Sequence, residues 1–297
     1  MGVRGGPRPP APMRGNTMQL IRDEILDTVY ALNPADNKSA QEPHAIINYR
    51  IKTIKSGSQI EAECYPIYKR GWKEAKRKAS ENISSEQQKE INARNARKKF
   101  IRLLNCNFEK QGTHTTLTYS DQHLPKNIDE AQKDICNFIR RLKTRLKKLK
   151  EKIELKYIYV IESQSRDGIL TRLHHHFVCN VENRDLLEET WKKGRANSSR
   201  LQPDRFGLSA LGSYLTKGVK SNKKRWAYSQ NLKKPTITVA DKKLSRKRAQ
   251  EIQENCEDRA KDIFPKIYPH TEFLDCTIKL SEWISGAYIY ARLRKVE

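Results

Sequence analysis

The chain has 297 residues, enough for one large domain or for a core domain with additions. It carries 59 lysine and arginine residues against 35 acidic residues, a net charge of +24. An excess of this size favours nucleic acid as the partner, because each phosphate contact releases counterions. Hydrophobic residues make up 36% of the chain, which excludes a wholly disordered protein.

The cysteines and the apolar runs indicate the compartment. None of the six cysteines forms a CxxC pair, so single buried thiols in a reducing cytosol are expected rather than a disulfide framework or a zinc site. No apolar run reaches the length of a membrane span, and no charged start leads into an apolar block. We therefore expect a cytoplasmic protein with no membrane partner.

Composition divides the chain into four segments. Residues 1–16 are rich in Gly, Pro and Arg, which predicts a disordered tail. Residues 17–105 form an N-terminal extension, with one or two basic helices expected from residue 72 onward. A core follows over 106–235, and the segment 236–297 contributes a helix and strands that pack on the core.

Within the core, the elements follow one another closely. Residues 113–120 are β-rich and predict a strand, and Pro125 places a loop after it. Apolar residues then recur at steps of three and four from 128 to 149, which predicts a long amphipathic helix. Two more strands are expected over 156–161 and 172–181 on either side of an Asp-Gly turn at 167–168.

The remaining patterns predict further helices and strands. They comprise helices over 185–193, 208–219 and 244–264, extended chain over 225–240, and strands over 272–280 and 287–293. The order strand, helix, strand, strand, helix favours an α+β fold. We expect a central antiparallel sheet that helices cover on one face.

Three consecutive histidines lie on the predicted strand 172–181. Because side chains alternate between the two faces of a strand, His174 and His176 share one face, while His175 joins Phe177 on the other. Two imidazoles on one face can hold a divalent metal ion. His175 is expected to be packed or hydrogen-bonded instead.

A third ligand should come from the neighbouring strand. If the turn holds the three residues 167–169, Glu162 lies directly opposite His174 on the same face, whereas a two-residue turn would place it opposite Leu173. Gln164 has the same parity as Glu162 and is the alternative ligand.

A candidate nucleophile lies on the predicted helix 208–219. Tyr214 and Lys217, three residues apart, lie together outside its apolar stripe. A free tyrosine hydroxyl is a weak nucleophile, and a nearby ammonium group and a metal ion would favour the phenolate.

These three segments together resemble the HUH endonucleases, and among them the rolling-circle replication initiators related to filamentous-phage nicking proteins. That family has a threonine-rich strand, a His-hydrophobe-His strand and a tyrosine helix with a lysine, matched here by residues 115–119, 174–176 and 214–217. Residues 225–235 also resemble this group. The resemblance extends over roughly 60–293 and is most specific over 112–235.

The chain departs from the family pattern at two points. The middle residue of the metal motif is His175 where the family has an apolar residue, and one tyrosine stands on the helix where some relatives have two; Tyr228 is too distant to be its helical twin. The histidines precede the tyrosine, as in replication initiators and in the shorter single-tyrosine transposases, and unlike conjugative relaxases.

The resemblance implies a core with an antiparallel sheet on a split βαβ plan, and the order of elements agrees with it. It also implies an enzyme that nicks single-stranded DNA at a replication origin and later reseals it. Mg²⁺ or Mn²⁺ would bind at His174, His176 and Glu162, Tyr214 would become joined to the 5′ phosphate, and Lys217 would steady the phosphate or the phenolate. A host helicase and a polymerase would be partners on a phage, plasmid or integrative element. The alternatives are a single-tyrosine HUH transposase and a non-catalytic basic nucleic-acid-binding protein.

Overall fold

The computed structural model describes residues 46–68, 85–150, 153–164, 170–217, 226–280 and 286–296. The strands in this part of the chain are β1 (Ile46–Ser56), β2 (Gln59–Tyr68), β3 (Thr113–Thr118), β4 (Tyr157–Gln164), β5 (Leu170–Cys179), β6 (Ala196–Arg200), β7 (Trp226–Tyr228), β8 (Thr236–Leu244), β9 (Thr271–Leu280) and β10 (Ala287–Lys295). The α-helices are α1 (Ser85–Phe108), α2 (Ile128–Lys148), α3 (Arg184–Thr190), α4 (Ser209–Thr216), α5 (Arg246–Glu254) and α6 (Cys256–Ile267), and a short 3₁₀ helix covers Asp121–His123.

The strands form two antiparallel sheets. The central sheet has the order β6-β3-β5-β4-β7. Since β3 and β4 each pair antiparallel with β5, which lies between them, β3 and β4 are parallel to each other and α2 connects them. This arrangement is the split βαβ plan, and it confirms the α+β fold predicted from the order of elements.

Helix α2 covers one face of the central sheet, as its periodicity predicts. Asn127 caps the helix by accepting a hydrogen bond from the backbone N–H of Glu130. The buried stripe of α2 includes Phe138, which meets Phe177 of β5 edge to face with ring centroids 5.1 Å apart. Helix α3 adds Leu186 and Leu187 to the same core.

The opposite face of the central sheet is also covered, by α1 and α4. Phe100 and Leu104 of α1 and Leu215 of α4 pack with Val160 and Val178 of the sheet in a separate hydrophobic core. The sheet therefore lies between two helical layers, and the helices are not confined to the single face expected from the sequence.

A second, outer sheet has the order β8-β1-β2-β10-β9. It joins an N-terminal hairpin to the C-terminal strands, so that chain from both sides of the predicted core lies in one sheet. The hairpin over 46–68 was not predicted from the sequence; its turn contains Gly57 at a φ of 64°. Helices α5 and α6 cover one face, and the single helix predicted over 244–264 is broken at Asn255, whose φ of −142° is not helical.

Helix α1 links the two sheets through a partly buried charge network. Arg102 binds Glu61 of β2 through two hydrogen bonds of 2.8 and 2.6 Å and lies 3.6 Å from Glu63. Tyr290 of β10 donates a further hydrogen bond of 2.9 Å to Glu61. On its other side α1 carries the residues that pack on the central sheet, so both sheets position it.

Some sequence predictions fall outside the described residues: the tail 1–16, the turn 167–168, the side chain of Gln164 and the end of the helix predicted to reach 219. None of the six cysteines forms a disulfide. Cys64, Cys179 and Cys276 are buried as expected, whereas Cys106 and Cys256 are half-buried and Cys136 is exposed. None of the described helices is both long and apolar enough to cross a membrane.

Candidate metal and tyrosine site

The register of β4 and β5 brings Glu162 opposite His174. The two residues are direct Cα partners, and the pairing runs in step from there to Tyr157 and Cys179 at the other end. Beyond Glu162 the register shifts, since Gln164 lies opposite Leu170, so the ladder does not continue in step to a three-residue turn. His176 lies two residues further along β5 and therefore projects from the same face.

Side-chain atoms of these three residues converge. Oε2 of Glu162 lies 2.9 Å from Nε2 of His176 and 3.4 Å from Nε2 of His174. One potential ligand atom from each residue lies within 4.8 Å of the other two. The expected convergence of Glu162, His174 and His176 is thus present. Two imidazole nitrogens and a carboxylate oxygen form a donor set suited to a divalent metal ion.

Hydrogen bonds within the triad shift the pKa values of Glu162 and His174. Burial would raise the pKa of Glu162, but hydrogen bonds from His174 and His176 outweigh it and hold the pKa at about 2, so the group is a carboxylate at neutral pH. Burial lowers the pKa of His174, and this effect is exceeded by its hydrogen bonds to Glu162 and to the backbone of Arg172, so the pKa is raised. The acceptor at Arg172 is its carbonyl oxygen, 2.9 Å from Nδ1 of His174.

His114 of β3 is a site residue that the sequence analysis missed. Its Nε2 lies 3.1 Å from Nδ1 of His176, and the two rings stack with centroids 5.2 Å apart. The hydroxyl of Thr116 lies 3.5 Å from Nδ1 of His176. Burial and the neighbouring His176 lower the pKa of His114 to about 3, so its ring is neutral. Strand alternation places His114 and Thr116 on one face, but their meeting with His176 depends on the pairing of β3 with β5.

His175 lies on the opposite face, as alternation predicts. It is fully buried among the residues that α2 and α3 cover, and its Nε2 lies 2.6 Å from the hydroxyl of Tyr119. Burial, together with the nearby His174 and His176, lowers the pKa of His175 to about 3. Its Nδ1 has no hydrogen-bond partner among the described residues. His175 is therefore a neutral core residue, turned away from the triad.

Tyr214 lies beside the triad. Its ring meets that of His176 edge to face with centroids 5.8 Å apart, and 48% of the residue is exposed. The half-buried Lys217 follows at the end of α4, where its backbone N–H donates to the carbonyl oxygen of Tyr214. Tyrosine, histidines and carboxylate thus occupy one side of the central sheet, and the tyrosine is open to solvent.

Close packing of α4 on α1 sets the position of Tyr214. A Cβ atom on Gly212 would lie 2.6 Å from Cγ1 of Ile101, so this approach requires glycine. The side chain of Asn105 accepts a 2.8 Å hydrogen bond from the backbone N–H of Leu208, at the start of the helix. Leu215 anchors the helix in the core next to Val160 and Val178.

Comparison with known proteins concerns the segment of the chain that holds this site. No curated protein and no solved structure matched the chain. The family model described as replication-associated protein ORF2/G2P matches residues 112–223, somewhat over a third of the chain. The matched segment holds the triad, His114, Tyr214 and Lys217. Residues 112–223 are therefore similar to the replication-associated protein ORF2/G2P family, a family of rolling-circle replication initiators.

Proposed function

We propose that the protein initiates rolling-circle replication by nicking single-stranded DNA at an origin and holding the cut end on Tyr214. The observation that carries this proposal is the position of an exposed tyrosine ring, 5.8 Å between centroids, against His176 of the triad. A non-catalytic DNA-binding protein would account for the charge of +24 but has no use for this arrangement.

Glu162, His174 and His176 would hold the metal ion, and Gln164 is the reserve ligand. When bound, the ion would polarise the scissile phosphate as a Lewis acid. Mg²⁺ prefers oxygen ligands, whereas Mn²⁺ accepts carboxylates and, as a transition metal, imidazoles. Of the two expected ions, the two-histidine donor set thus fits Mn²⁺ better.

His114 would fix the orientation of His176. A ligating imidazole nitrogen must present its lone pair, so Nε2 of His176 can bind a metal ion only when the ring proton is on Nδ1. That proton would be donated to Nε2 of His114, 3.1 Å away, which can accept because the ring of His114 is neutral. Partners of this kind hold ligating histidines in one tautomer and one orientation.

Tyr214 would be the nucleophile. Its phenolate oxygen attacks the phosphorus of the scissile phosphodiester, the bond to the 3′ oxygen breaks, and the leaving oxygen takes up a proton to become a 3′ hydroxyl. The 5′ phosphate remains joined to Tyr214. Lys217, one helical turn away, would steady the phosphate or the phenolate. The 3′ hydroxyl primes synthesis, for which a host helicase and polymerase would act in the cytoplasm.

Resealing needs no nucleotide, because the phosphotyrosine bond conserves the energy of the broken one. A 3′ hydroxyl attacks the phosphotyrosine, the bond to the tyrosine oxygen breaks, and Tyr214 is released. A single-tyrosine transposase would use the same chemistry. It would differ in acting at the ends of a mobile element rather than at an origin.

Incubation of the full chain with single-stranded DNA from the replicon that encodes it tests the proposal. With Mn²⁺ present, a denaturing gel should show a cut strand and a protein–DNA adduct, and both should disappear with chelator. Binding without cleavage across the whole origin region would favour the non-catalytic alternative. Cleavage at element ends rather than at the origin would favour the transposase.

A further inference from the structure

A basic groove lies between α2 and the end of α3. It has a volume of about 600 Å³, and four of the seven residues that line it are cationic: Arg140, Arg141, Arg145 and Lys192. The other three are uncharged and polar. Glu189 stands beside the groove and pairs with Arg145 at 2.6 Å, which leaves a clear positive excess.

Hydrogen bonds hold the arginines of this groove in place. Arg141 donates to the carbonyl oxygen of Thr190 at 3.3 Å, and Arg145 donates to the hydroxyl of the same residue at 3.1 Å. Arg140 donates to the side-chain oxygen of Asn137 at 2.6 Å. Guanidinium groups fixed in this way lose less side-chain entropy when they bind an anion than free surface lysines do.

The lining indicates the class of ligand. Sites for small molecules are lined mainly by apolar and aromatic side chains, and this groove has none among its seven lining residues. Arginine, lysine, threonine and asparagine are the side chains that contact the phosphates of nucleic acids. Binding sites for single strands also contain aromatic rings on which the bases stack. No aromatic side chain lines this groove, so its chemistry fits the sugar-phosphate backbone of a duplex.

The groove and the tyrosine lie on opposite sides of the central sheet. Helix α2 packs on the face that contains His175 and Phe177, whereas Tyr214 and the triad lie on the face that contains Val160 and Val178. A nucleic-acid segment in the groove is therefore separate from the strand that reaches the tyrosine.

We propose that this groove binds the phosphate backbone of double-stranded DNA next to the nicking site, in a sequence-independent manner. The proposal rests on the proposed function for the identity of the nucleic acid as origin DNA. A duplex held on one side of the sheet would present the adjoining single strand to the other side.

Binding of a short duplex by the full chain, measured against salt concentration, tests the groove. The test variant is Arg140→Gln with Lys192→Gln, which removes two exposed charges. Lys143→Gln with Lys261→Gln is the matched control, since both lysines are exposed and neither lines the groove. Each lost phosphate contact lowers the slope of log affinity against log salt by about 0.9, so the groove pair should lower it by about two and the control pair by much less.

Three outcomes would overturn the proposal. The first is an equal loss of duplex affinity in the groove double variant and the control double variant. The second is no loss of duplex affinity in the groove double variant, and the third is a loss of affinity for single strands alone. Cleavage of a short single-stranded oligonucleotide should be unchanged in both pairs. Because duplex binding is measured without any nicking, failure of the groove and failure of the proposed nicking activity give different results.

Discussion

Nε2 of His114 lies 3.1 Å from Nδ1 of His176, with the two rings stacked, so His114 can accept a proton that His176 carries on Nδ1. The contact links β3 to the triad residue that is most deeply buried. The contact matters because it favours one tautomer of His176, and the tautomer decides whether Nε2 of His176 can bind a metal ion.

The first prediction concerns this contact. His114→Leu should weaken Mn²⁺ binding by about 10- to 100-fold, the usual effect of removing a partner of a ligating histidine. His114→Gln should keep most of the affinity, because its amide oxygen can accept the proton of His176. Titration calorimetry with Mn²⁺ measures both. Thr116→Val, which removes the longer 3.5 Å contact, is the control and should have a smaller effect. Equal losses in the Leu and Gln variants would refute the tautomer argument.

The second prediction concerns the ligands themselves. His174→Ala, His176→Ala and Glu162→Gln should each lower Mn²⁺ affinity by more than the loss of an outer partner does, that is, by more than roughly 100-fold. Each should also abolish nicking while the thermal unfolding midpoint stays close to that of the wild type. His123→Ala removes an exposed histidine elsewhere and should change neither quantity. Wild-type Mn²⁺ affinity in the His174 variant would remove that residue from the site.

The third prediction separates an enzyme from a binding protein. Tyr214→Phe keeps the ring that packs against His176 and removes only the hydroxyl, so the fold, Mn²⁺ binding and DNA binding should be unchanged. Cleavage and the covalent adduct should both be lost. Peptide mapping of the wild-type adduct should identify Tyr214. Tyr228→Phe, on β7, should cleave normally. An adduct on Tyr228 or Tyr119 would contradict the assignment.

The fourth prediction concerns the partly buried charge network between α1 and the outer sheet. Arg102→Leu leaves Glu61 without its main cationic partner and removes the longer 3.6 Å contact to Glu63, so it should lower the free energy of unfolding by about 3–5 kcal/mol. Urea denaturation at neutral pH measures this loss. A change within experimental error would mean that Lys52, which binds Glu63 at 2.8 Å, and other cations compensate fully.

The pH dependence of the same network gives a fifth prediction. Burial would raise the pKa of Glu61, but Arg102 and Tyr290 outweigh it and lower the pKa below its ordinary value of 4.5. A carboxyl group with a lowered pKa in the folded state stabilises the fold above the unfolded-state pKa, and this stabilisation is lost as the pH falls through the folded-state pKa. Urea denaturation from neutral pH down to below 4.5 should thus show a weaker acid dependence for Glu61→Gln than for the wild type. The same acid slope in both proteins would contradict it.

Much of the site was predictable because it depends on local periodicity. The alternation of β5 places His174 and His176 on one face and His175 on the other, whatever the rest of the fold does. The three- and four-residue steps of α2 likewise define its buried stripe. These patterns involve neighbours in the chain, so the sequence alone determines them, together with the order of histidines before tyrosine.

Only the tertiary structure decided what depends on pairing between distant segments. Glu162 could face His174 only in one of two possible registers. Strand β3 had to pair with β5 before His114 could meet His176, 62 residues away in sequence. The hairpin over 46–68 forms part of a sheet whose other strands begin at residue 236, and helix α1 is held between both sheets by opposite sides of its surface. Contacts of this kind are set by which surfaces bury one another, and no local spacing in the chain records them.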